Sequence, residues 1–127
     1  MALIARESTS RELENLMELA TSHYGSLLTY VETRAALAAR RRASVRARAR
    51  LGGARQELEA RWRKIDVVDF DATVADVAGL AAEQHRLRGA DAVHLASAAV
   101  LGSGVTMLSL DESLRQASLA VGLDVAP

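Results

Sequence analysis

The stretch from Arg88 to Ala98, RGADAVHLASA, sets a single acid inside an apolar helical run, and the rest of the chain is read outward from it. Around Asp91, the residues Ala90, Ala92, Val93, Leu95, Ala96, Ala98 and Ala99 are small or apolar on nearly every side, the pattern of a helix buried all round. An ionised side chain is costly there, because it gives up its hydration unless something pairs with it. Two roles fit Asp91. It is either the N-cap that follows the Gly89 break, or a metal-binding or catalytic carboxylate.

After this helix, the Gly102, Ser103, Gly104 turn leads into Val105 to Leu110, a buried-looking strand that ends at Asp111. Leu114, Ala117 and Val121 then form one face of a helix stopped by Gly122, and Leu123 to Ala126 make a final strand. Before it, Ile65 to Phe70 is a β-branched run, and Asp71 caps a helix with Val74, Val77, Ala78 and Ala81 on one side.

Further out, Thr9 and Glu12 have capping-box spacing, which predicts a helix over Ser10 to Ala20 with Leu13, Leu16, Met17 and Ala20 facing inward. His23 to Leu28 reads as a short strand. Thr29 then opens a helix containing Val31, Glu32, Ala35, Ala36 and Leu37, with Glu32 in its first turn, where an acid also suits the positive helix end. From Arg40 to Lys64 the chain is Ala/Arg-rich, with a break at Gly52 and Gly53 and with Trp62 anchoring the second helix to the core.

Strands separated by helices predict an α/β fold: a three-layer domain with a mostly parallel sheet flanked by helices on both faces, one domain over residues 1–127. Ligands in such sheets bind outside the carboxyl ends of the strands. Asp111 ends one strand, Glu32 follows another and Asp91 opens a helix, so the three acids are expected to converge at that edge. Carboxylates brought together without a cation repel, and an oxygen-only set suits Mg²⁺ or Mn²⁺, ions that activate water and clamp a phosphodiester.

Half of the 127 residues are hydrophobic, enough for one domain with its own core. The sequence has no cysteine, which excludes disulfides and thiolate metal sites. It has no apolar run near the ~20 residues of a membrane helix and no signal-peptide order, so a cytoplasmic protein without membrane contact is expected. The formal net charge of zero hides an asymmetry. Arg34 to Lys64 holds eleven of the sixteen basic residues and only Glu57 and Glu59 of the acids. Fifteen of the sixteen cations are Arg, the planar donor that suits phosphate and carboxylate, so Arg40, Arg41, Arg42, Arg46 and Arg48 are candidate contacts for nucleic acid or an acidic partner as well as a solvated helix face. One Trp, one Phe and two Tyr are too few for a base-stacking platform.

SLLTYVETRAALA, RGADAVHLASA and MLSLDESLRQASLAVGLDV resemble, in that order, the successive motifs of PIN-domain ribonucleases, especially the VapC-type toxins of bacterial toxin–antitoxin pairs. The resemblance implies a Mg²⁺- or Mn²⁺-dependent RNA endonuclease held in check by a cognate VapB-type antitoxin. Glu32 matches the acid of the second motif, Asp91 that of the third and Asp111 that of the fourth, so these are the expected metal-binding and catalytic carboxylates. His94 matches a recurrent residue of the third motif but is assigned no catalysis; one turn after Asp91, it reads as a histidine of the core or one that supports a ligand. RNA, the antitoxin and a second copy of the chain in a homodimer are the expected partners. The family begins with a strand ending in an acid, whereas MALIARESTS resembles a stretch already past that acid, with Ala2 to Glu7 matching the end of the family's first helix. The first strand and the first acid are therefore expected to be missing, and Glu7 does not replace that acid. The alternative reading is an inactive or truncated PIN domain that binds antitoxin or RNA without cleaving it.

Overall fold

The computed structural model describes residues 7–127, with side chains from Arg11 onward. Helix α1 (Glu7–Leu19) is followed by β1 (Tyr24–Ser26), α2 (Leu27–Ala43), α3 (Val45–Arg50), α4 (Ala54–Trp62), β2 (Asp66–Val68), α5 (Ala72–His85), α6 (Gly89–Ala99), β3 (Thr106–Leu108), α7 (Glu112–Ala120) and β4 (Asp124–Ala126). The alternation of strands and helices is that of an α/β fold. The expectation that Ala2 to Glu7 ends a first helix falls, apart from Glu7, outside the described residues.

All strand pairing is parallel, as crossover connections through helices require. Strand β1 pairs with β2 through Tyr24↔Asp66, Gly25↔Val67 and Ser26↔Val68, and β3 pairs with β4 through Thr106↔Asp124, Met107↔Val125 and Leu108↔Ala126. In place of one continuous sheet, the described residues form two separate parallel pairs. Helix α6 packs on both β1 and β3, so it is common to the two pairs.

The core is built where α5 meets α6. Val74, Ala78 and Ala81 on α5 and Ala92, Leu95 and Ala96 on α6 follow helical spacing, and their small side chains let the two helices approach closely. Leu114, Ala117 and Leu123 close the cluster from the α7 side. Leu95, 1% exposed, is among the largest fully buried side chains, and its burial contributes about 1.5–3 kcal/mol. Helix α4 is held differently. Trp62 packs on Tyr30 of α2 with ring centroids 5.2 Å apart, and the Tyr30 hydroxyl donates to Glu59. A Cβ on Gly25 of β1 would stand 3.3 Å from the same indole, so the missing side chain is what lets Trp62 seat there.

Several helix ends follow the expected chemistry. Asp71 accepts from the Val74 N–H at 2.9 Å and caps α5, while Gly122, at φ +87°, ends the turn after α7. Others do not. The chain is already helical at Glu7, which leaves Thr9 inside α1 and removes the capping box as its start. Strand β1 stops at Ser26, because the Ser26 hydroxyl accepts from the Thr29 N–H at 3.2 Å and caps α2, so Leu27 is helical and half-exposed. With the helix opening at Leu27, Glu32 lies in its second turn, beyond the reach of the helix-end explanation. Ser44 divides the Ala/Arg segment earlier than the two glycines do, ending α2 and capping α3 through the Ala47 N–H at 3.0 Å. Among the described residues no helix is long and apolar enough to cross a membrane.

Candidate active site

Helix α6 begins at Gly89 with Arg88 as its N-cap residue, so Asp91 is not the cap. It occupies the third helical position on a face that is only half-buried, and the expectation of a helix buried all round holds for Ala92, Leu95 and Ala96 but not for Asp91 and His94. Asp91 lies in the first turn of α6, where a carboxylate also suits the positive end of the helix.

One turn further on, His94 joins α6 to α2. Its Nε2 stands 2.6 Å from Oε1 of Glu32, and its Nδ1 lies 3.3 Å from both Ser26 Oγ and Thr29 Oγ1. An ionised carboxylate only accepts, whereas a hydroxyl can donate or accept, so these contacts suit a ring with a proton on Nε2 that donates to Glu32. The side chains grade outward: Ser26 is 3% exposed, the His94 side chain 17% and that of Glu32 49%. Asp91 lies on the same helix as His94, three residues before it.

Asp111 is placed by different chemistry. It follows β3 and caps α7, with Oδ1 accepting from the Leu114 N–H at 2.8 Å. One turn on, Arg115 Nη1 donates to the backbone carbonyls of Ser109, at 2.9 Å, and Pro127, at 2.8 Å, and so ties the ends of β3 and β4 together rather than pairing with Asp111. The structure thus brings Glu32 to the neighbourhood of Asp91 through His94, and holds Asp111 by its cap. Among the described residues no three His, Asp or Glu side chains are gathered closely enough to hold a metal ion.

As donors, Glu32 and Asp91 fit a hard divalent cation. Both offer carboxylate oxygen, and the His94 imidazole is turned toward Glu32 rather than competing as a nitrogen ligand. They supply part of such a site. Arg40, Arg42, Arg46 and Arg48 are exposed and Arg41 partly so, and among the described residues none of the five has an acidic partner within ion-pair distance.

Sequence reading missed Ser26 and Thr29. Their spacing of three is an N-cap signal that the apolar run Leu27, Leu28 masked. Their contact with His94 crosses more than sixty residues and leaves no local trace.

Comparison with known proteins bears on this geometry. The PIN-domain family matches residues 1–119. Ribonuclease VapC45 of Mycobacterium tuberculosis (strain CDC 1551 / Oshkosh) is 38% identical over 126 residues, which covers 98% of this chain and 88% of the relative. Ribonuclease VapC49 of Mycobacterium tuberculosis (strain ATCC 25618 / H37Rv) aligns with the same identity and coverage. No solved structure matches significantly. With the match spanning nearly the whole sequence, the chain belongs to the PIN-domain family.

Proposed function

We propose that this chain is a divalent-metal-dependent RNA endonuclease, the toxin of a VapBC-type pair, acting in the cytoplasm as one PIN-like domain over residues 1–127. The observation that carries the reading is the His94-held carboxylate of Glu32 beside Asp91, in a chain that aligns along 98% of its length with proteins named ribonucleases.

Glu32, Asp91 and Asp111 are the acids assigned to the metal and to catalysis, with Mg²⁺ or Mn²⁺ as the ion their oxygen donors suit. When bound, such an ion activates water and offsets the charge of the scissile phosphate. The protein's own part is to fix these acids. Helix α6 carries Asp91 on a rigid element, His94 orients Glu32, and the cap at α7 fixes Asp111 at the end of β3. The exposed arginines Arg40, Arg41, Arg42, Arg46 and Arg48 draw the RNA backbone toward an acidic centre that would otherwise repel it. A cognate VapB-type antitoxin and a homodimer belong to the same proposal. Leu27 and Val31, four apart on α2 and both more than half exposed, are surface that a protein partner would cover.

The three-layer architecture is part of the proposal as well, with a strand that no described residue supplies running between β1 and β3. Each of those strands is paired on one side only among the described residues, and α6 packs on both. In the family's plan that strand ends in the remaining acid. A second reading, an inactive PIN domain that binds RNA or antitoxin, is favoured by one observation: among the described residues three donors are not gathered.

Cleavage of a mixed RNA pool by the purified protein with Mn²⁺ decides between the readings. The nuclease reading expects cleavage that EDTA abolishes and that Asp91→Asn removes. Salt-sensitive RNA binding with no cleavage in any metal establishes the binding module instead.

A further inference from the structure

The Ser26, Thr29, His94, Glu32 array has the order hydroxyl, imidazole, carboxylate, which in another setting activates a nucleophile. Here its direction is reversed. Ser26 is 3% exposed and its oxygen already accepts the Thr29 N–H, so it cannot reach a substrate, whereas the Glu32 end is half-exposed. The buried hydroxyls therefore serve the imidazole, and the imidazole serves the carboxylate. With two hydroxyls at Nδ1 and a carboxylate at Nε2, the ring plane of His94 is held from both sides, with Nε2–H directed at Glu32.

A glutamate side chain on an exposed helix face samples many rotamers, and ordering it costs free energy on binding. The 2.6 Å bond from His94 anchors Oε1 and leaves Oε2 outside that bond. We infer that His94 is the positioning residue for Glu32: its Nε2–H pre-orders the carboxylate for a divalent cation, and its own orientation is set by Ser26 and Thr29. The inference rests on the assignment of Glu32 as a metal ligand and adds to it a residue that binds neither metal nor RNA.

Two substitutions divide the ring's functions. His94→Gln places an N–H donor near the former Nε2 and keeps the bond to Glu32. His94→Asn keeps a polar group near Nδ1 and loses that bond. Mn²⁺ affinity is measured by calorimetric titration on the folded, RNA-free proteins, with Glu32→Gln alongside and circular dichroism to establish that each variant is folded. H94N is expected to weaken Mn²⁺ binding by about 10–100-fold, the usual effect of removing a group that orients a ligand, while H94Q stays within about threefold of the parent. Nitrogen-15 imidazole spectra are expected to show the Nε2–H tautomer in the metal-free parent protein.

Equal losses in H94N and H94Q, or a ring protonated at Nδ1 alone, overturn the positioning role. So does an unchanged H94N beside a weakened E32Q, with the ligand assignment left standing. If E32Q binds Mn²⁺ as the parent does, the ligand assignment itself fails and the inference goes with it.

Discussion

Asp111 and Leu114 are joined by a 2.8 Å bond in which the carboxylate Oδ1 accepts the N–H of α7's first turn. An acid proposed for the metal site thus already has a structural duty, and the two can be separated. Asn caps a helix about as well as Asp, whereas Ala loses ~1 kcal/mol on average. Asp111→Asn is expected to keep the urea midpoint of the parent and to lose Mn²⁺-supported cleavage. Asp111→Ala is expected to lose both. An Asn variant that cleaves at the parental rate removes Asp111 from the site.

Leu95 tests the core that carries α6. Truncation of a fully buried leucine costs about 2–5 kcal/mol through lost burial and the cavity left behind. Leu95→Ala is expected to lower the stability by that amount at an unchanged urea m-value. A loss below about 1 kcal/mol would mean that α5 and α6 close the gap by sliding together.

The arginine segment is expected to act through charge. Replacing Arg40, Arg41 and Arg42 with Gln should weaken RNA binding and flatten its dependence on log salt by about 0.7 for each single-strand phosphate contact removed. An unchanged salt slope, read from fluorescence anisotropy between low and physiological ionic strength, reassigns these side chains to a protein partner or to solvent.

The elements whose signals are local were legible in the sequence. Asp71 stands immediately before its helix as the expected cap, Val74, Ala78 and Ala81 mark the inward face of α5, and Gly122 ends α7. Boundaries shifted where two local signals competed. The Leu27, Leu28 pair extends the strand pattern of Tyr24, but Ser26 wins because its cap satisfies an otherwise orphaned N–H. Ser44 breaks an Ala/Arg run with no glycine or proline to advertise it. At the site, the residue types at positions 32, 91 and 111 pointed to an oxygen-liganded metal. That His94 takes Glu32 as its partner is a tertiary fact, set by how α6 crosses the start of α2, and no spacing within either helix encodes it.

The division of the strands into two pairs also bears on the order in which the molecule assembles. Strand β3 meets a partner that lies beyond one short helix, whereas β1 must wait for one that lies beyond three. The main core cluster draws its buried residues from Val74 to Leu123 alone. Closing the longer loop costs more chain entropy before any contact repays it. The C-terminal half is therefore expected to form the folding nucleus, with Leu95→Ala slowing refolding and Trp62→Phe mainly speeding unfolding. The half that emerges last from the ribosome would then be the one that organises the rest, and a nascent chain would remain without its acidic centre until synthesis is nearly complete.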